Sequence, residues 1–86
     1  MAADPPRTIR RRQLKEAANA RGRRLVQLML DRGCDRATLA RRSGVAETTI
    51  ASIENGETLR PHPSTIAKIA HAFPGAAVDP NELYGS

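Results

Sequence analysis

Residues 36–55 read Arg36-Ala37-Thr38-Leu39-Ala40-Arg41-Arg42-Ser43-Gly44-Val45-Ala46-Glu47-Thr48-Thr49-Ile50-Ala51-Ser52-Ile53-Glu54-Asn55. The spacing predicts one helix over Arg36–Ser43, closed by Gly44, and another over Glu47–Glu54. Two helices that meet steeply across a three-residue turn make specific demands. A small side chain must sit where they approach, and Ala40 supplies it. The turn needs a residue that tolerates positive φ, and Gly44 supplies that. Apolar side chains must plug the wedge between the helices, and Leu39, Val45, Ile50 and Ile53 stand at those positions. Six demands met in one register carry far more information than a lone short pattern.

The neighbouring segments extend this helical plan. Upstream, Asp35 is placed to cap the Arg36 helix, and Gly33 to end the helix before it. Leu25, Leu28, Met29 and Arg32 follow i, i+3, i+4, i+7, which sets three apolar residues on one face. Good helix formers run from Ile9 to Arg32, with Asn19 and Gly22 as weak points where the stretch can divide into an arm helix and a body helix. Residues 1–8, with Pro5 and Pro6, are read as a non-helical lead. Downstream, Glu57–Pro63 is a proline-punctuated loop. Ile66, Ile69, Ala70 and Phe73 repeat the inward stripe of a fourth helix, which Pro74-Gly75 ends. Asp79-Pro80-Asn81-Glu82 has the pattern of a capping box, opening a short fifth helix with Leu83 and Tyr84. No stretch alternates long enough to make a strand. The expected architecture is all-α, five short helices behind a basic N-terminal extension that is partly helical.

Composition limits what such a chain can be. Its 86 residues have room for one domain, and one Phe, one Tyr and no Trp leave an aliphatic core. Cys34 is the single cysteine, so no internal disulfide and no multi-cysteine metal site is available. Cys34 is therefore expected in the core. The longest apolar stretch, Leu25–Leu30, falls far short of the ~20 residues that span a bilayer, and no secretory h-region follows the basic N-terminus. A cytoplasmic protein is expected, with no membrane partner. No glycine-rich phosphate loop, metal-ligand cluster or nucleophile–base constellation occurs, so neither catalysis, cofactor nor metal is expected.

The charge is more telling. The net is +5, but residues 5–24 hold Arg7, Arg10, Arg11, Arg12, Lys15, Arg21, Arg23 and Arg24 against Glu16 alone. The remainder is nearly balanced. The division implied is a basic arm over residues 1–20 and a helical domain over 21–86. Arginine blocks attract polyanions, nucleic-acid phosphates first. A solvated tail carries the same charge, and so does a helix lying on an anionic membrane. The scarcity of large apolar side chains between Ile9 and Arg24 weighs against the membrane.

The twenty residues match the helix-turn-helix pattern, and the likeness continues beyond them. Glu54-Asn55-Gly56, Leu59-Arg60-Pro61 and Ile66-Ala67-Lys68-Ile69-Ala70 together resemble the Cro and lambdoid phage repressor type of helix-turn-helix domain, over about residues 24–84. The resemblance implies a compact five-helix domain that binds double-stranded operator DNA as a transcriptional regulator, commonly as a homodimer. Carried over by position, it gives Arg36 a phosphate contact and places Glu47, Thr48, Thr49 and Ser52 toward the major groove. It brings Asn55 and Arg60 to phosphates or the minor groove, and sets His62 where some relatives carry a minor-groove basic residue. Arg7, Arg10, Arg11 and Arg12 add a basic arm for the same DNA.

Three departures accompany the likeness. Ala46 stands where a Ser or Thr usually caps the recognition helix, and such a loss is worth ~1 kcal/mol. Met29 stands where many relatives carry the arginine that pairs with the acid matching Glu54, so Glu54 needs another partner, such as Arg32, or water. Glu47 brings a negative charge to the DNA side, where it can accept from cytosine N4 or repel phosphate. Arg41 and Arg42 are expected on a solvated helix face, and His71 at the surface. A dimer is expected to use Phe73, Leu83 and Tyr84. The rival function is an antitoxin or adaptor that also neutralises a protein partner, with the arm as its contact.

Overall fold

The computed structural model describes residues 7–84, and their side-chain surroundings from residue 11 onward. Five helices follow one another: α1 (Arg7–Arg32), α2 (Arg36–Ser43), α3 (Glu47–Glu54), α4 (Pro63–Ala72) and α5 (Pro80–Tyr84). No strand occurs among the described residues. The all-α, five-helix expectation is met.

The helix boundaries have local causes. Gly33 and Gly44 take left-handed conformations, with φ of 61° and 76°, and end α1 and α2. The Asp35 carboxylate accepts from the Thr38 N–H at 2.7 Å and starts α2. Thr38 therefore draws the Asp35 carboxyl below the usual carboxylate range, first through its backbone N–H. Ala46 leaves α3 without a side-chain cap. Asp79 forms half of the expected capping box, accepting from the Asn81 N–H at 2.9 Å. The other half is missing, because Glu82 turns instead to Arg24 at 3.2 Å. Arg7 and Thr8 belong to α1 rather than to a lead, since a proline restricts the residue before it and not those after.

Leu25, Leu39, Ile50, Ile53, Ile66, Ile69 and Leu83 are fully buried, so all five helices contribute to one aliphatic core. Each such side chain is worth roughly 1.5–3 kcal/mol relative to exposure. Cys34 is buried among them, as expected. Phe73 and Leu83 are buried too, which corrects their assignment to a dimer surface. Helix α5 is too short to have both an inner and an outer apolar face. Its one leucine closes the core, and Tyr84 alone is left partly open.

Helix α1 is one continuous rod of 26 residues, undivided at Asn19 or Gly22. Both residues are points where α1 meets the end of α3. A Cβ on Gly22 would lie 2.7 Å from the Ile53 carbonyl oxygen and 2.9 Å from the Glu54 carbonyl carbon. Asn19 faces Gly56, whose added Cβ would come 3.2 Å from the Asn19 Cα. Glycine here costs about 1 kcal/mol of helix propensity and in return lets two backbones touch.

Two measurements check this description. In a free helix Gly22→Ala would stabilise by ~1 kcal/mol, but here it should destabilise by about 1–3 kcal/mol, because backbone atoms cannot give way as a side chain does. A thermal melt reads the sign directly. The depressed Asp35 carboxyl contributes stability that is full above the ordinary carboxylate range and is lost as pH falls through its lower folded value. Asp35→Asn keeps the cap without a titrating group, so its stability should fall less on acidification than that of the wild type.

Candidate nucleic-acid interface

The α2–turn–α3 unit presents one polar face. Ile50 and Ile53 turn into the core, and Ala40 and Val45 pack against it from α2 and the turn. Helical spacing then puts Thr48 and Ser52 opposite the buried pair, with Glu47 and Thr49 at the flanks. Glu47, Thr48 and Thr49 are exposed and Ser52 is half-buried. Asn55 follows as the exposed C-cap of α3. Short hydroxyl side chains on a rigid helix can donate to or accept from base edges without large losses of rotamer freedom. The four positions named from the sequence thus share one helix, with Thr48 and Ser52 at its centre.

The basic residues divide into those occupied within the fold and those left open. Arg36 opens α2, and its Nε donates to the Glu54 carboxylate at 2.6 Å. This pair ties the start of α2 to the end of α3, and the carboxylate holds the guanidinium proton more tightly than usual. Glu54, only 11% exposed, therefore finds its partner in Arg36 and not in Arg32. Arg32 instead donates to the carbonyls of Pro74 at 3.0 Å and Ala76 at 2.6 Å. Arg42 is exposed, as expected, and its Nε also donates to the Ala72 carbonyl at 2.5 Å, at the end of α4. Arg41 remains exposed, with a long contact to the Thr38 hydroxyl.

Two further basic residues serve the same purpose without having been singled out in the sequence. Lys15 donates to the Gly56 carbonyl at 2.6 Å, just past the end of α3. Arg21 donates to the Leu83 and Tyr84 carbonyls at 2.8 and 3.1 Å and stacks over the Tyr84 ring at 5.6 Å. Burial lowers the affinity of Arg21 for its proton, and Nη1 has no hydrogen-bond partner among the described residues. A sequence signal existed. Helices that lack a basic last turn, as α3 and α5 do, leave carbonyls for cations from elsewhere.

The open basic side chains cluster beyond the end of α3. Arg11 and Arg12 from α1, beside the occupied Lys15, line a groove of about 480 Å³ with Glu16, Glu57 and Leu59. Arg60 is exposed in the adjoining loop. His62 begins α4 as its N-cap, with Nδ1 accepting from the Ser64 N–H at 3.1 Å. With Nδ1 turned to Ser64, Nε2 is the ring nitrogen left for a partner. Arg7 and Arg10 lie in the first turn of α1, and their side chains fall outside the described residues.

No helix of the described residues is long and apolar enough to cross a membrane, and no cluster of His, Cys, Asp and Glu there is fit to hold a metal ion. No curated protein and no solved structure matches the sequence. Residues 10–79 do match a protein family described as "Helix-turn-helix domain". That span takes in all of α2, α3 and α4 and most of α1. The chain belongs to the helix-turn-helix domain family.

Proposed function

We propose that the protein is a sequence-specific transcriptional regulator of the small phage repressor or Cro type, which lays α3 in the major groove of operator DNA. The observation that supports this best is the face of α3. Thr48 and Ser52 stand opposite Ile50 and Ile53 on a helix fixed by the α1 crossing and the Arg36–Glu54 pair. In this reading Glu47 and Thr49 flank the base contacts, and Arg36, Asn55, Arg60 and His62 meet the backbone or the minor groove. Arg36 does so with its terminal nitrogens while Nε stays on Glu54. The basic half of α1 brings Arg7, Arg10, Arg11 and Arg12 to the flanking phosphates, as a rigid helix and not as a wrapping strand. Two copies on a palindrome would follow the usual symmetry of such sites.

The test begins by selecting preferred sequences from random duplexes with the purified protein. Thr48→Ala and Ser52→Ala should each weaken binding to the selected site by roughly 1–3 kcal/mol and barely change binding to random DNA. Equal losses on both DNAs would remove the two residues from base readout. Arg11→Ala with Arg12→Ala should weaken both DNAs and flatten the log affinity–log salt slope by about 0.9 per lost phosphate contact. A slope that stays unchanged would separate the arm from DNA while leaving the α3 assignment intact.

A further inference from the structure

Among the described residues three large apolar side chains stand in the open: Leu30 at 71% exposure, Tyr84 at 38% and Val26 at 37%. Val26 and Leu30 sit one turn apart on the same side of α1. They edge a groove of about 470 Å³ that also takes in Met29, Gly33, Cys34 and Asp35, with the paired Arg36 and Glu54 as its polar wall. Leu30 is thus a knob beside a hole. Single exposed leucines are ordinary. A knob and a hole within one patch are what a two-fold contact between identical chains requires.

The charges fit the same symmetry. Arg23, Val26 and Leu30 share a face at i, i+3 and i+7. Arg23 is exposed and takes part in neither ion pair of the described chain. If two α1 helices cross antiparallel with the axis midway between Val26 and Leu30, Val26 meets the Leu30 of the second copy. That crossing also sets Arg23 opposite Gly33 of the second copy, between its Asp31 and Asp35. Both acids are exposed. Every attraction then occurs twice, as a closed symmetric contact demands.

We propose that a second copy of this chain docks on α1, with Leu30 of each molecule in the groove of the other and Arg23 facing the Asp31–Asp35 segment. The contact needs no DNA, so it stands or falls separately from the regulatory reading. The test is sedimentation velocity of the full chain without DNA, over a range of concentrations. A concentration-dependent dimer is expected, weakened by added salt. Leu30→Glu should raise its dissociation constant on the order of tenfold or more, because it puts a charge in the centre of the contact. Arg23→Glu should weaken it as well, whereas Lys68→Glu, the same change of charge on α4, should leave it unchanged. Leu30 lies outside the core, so at concentrations where both are monomeric the melting temperature of Leu30→Glu should match the wild type, and Val26→Glu supplies a second probe. A monomer at every concentration would overturn the proposal. So would a dimer indifferent to both Leu30→Glu and Val26→Glu.

Discussion

The arrangement of this molecule depends on the contact between Gly22 of α1 and the last carbonyls of α3. It fixes how closely the longest helix passes the helix with the exposed polar face. That in turn sets where Lys15 meets Gly56, and where the basic half of α1 runs beyond the body. The molecule measures 51 Å in its longest direction and little over 20 Å in the other two, an elongation that comes from this overhang. A bulkier residue at position 22 would push α1 away from α3 and carry the whole arm with it.

Burial and polar satisfaction then work together. The aliphatic core draws on every helix, but helices of eight, eight, ten and five residues are too short to persist alone in water. Their last carbonyls are also too many to leave dry. Arg21 and Arg42 reach such ends from other parts of the chain, and Lys15 and Arg32 take carbonyls in the loops just beyond α3 and α4. Much of the positive charge that marks the sequence is therefore structural. Among the described residues, Arg11, Arg12, Arg23, Arg41, Arg60 and Lys68 stand exposed and outside both ion pairs.

The parts legible in the sequence are those set by local chemistry. Gly44, Ala40 and the apolar wedge are required within a span of twenty residues, so α2, the turn and α3 could be bounded to the residue. The Asp35 cap followed from its residue type before α2 and the inner side of α3 from Ile50 and Ile53, while the outward positions of α3 came from the family resemblance. Gly22 and Asn19 could not be read correctly, because a glycine that breaks a helix and one that admits another backbone look alike in one dimension. The partner of Glu54 was misplaced for a related reason. Arg32 and Arg36 are both within reach of it by type, and only the crossing of the helices decides between them. Leu83 was assigned outward because so short a helix gives too few turns to show which face is inner, and Phe73, read on the inward stripe of α4, could not serve a dimer surface as well. The roles of Lys15, Arg21 and Arg42 depend on pairings 30 to 62 residues apart in the chain, which no local pattern encodes.

Those clasped helix ends carry a consequence for how the domain comes apart. Fraying ordinarily starts at a helix terminus, one residue at a time, and leaves the rest in place. Here the end of α5 is held by α1, the end of α4 by α2, and the residues just past α3 by α1 again. Releasing any of these ends strands a cation beside unpaired carbonyls in a different element. Two of these three clasps are guanidinium groups, which keep their charge at any ordinary pH. The clasps therefore favour release of the small helices together rather than end by end, in keeping with the all-or-none unfolding usual for a domain of this size.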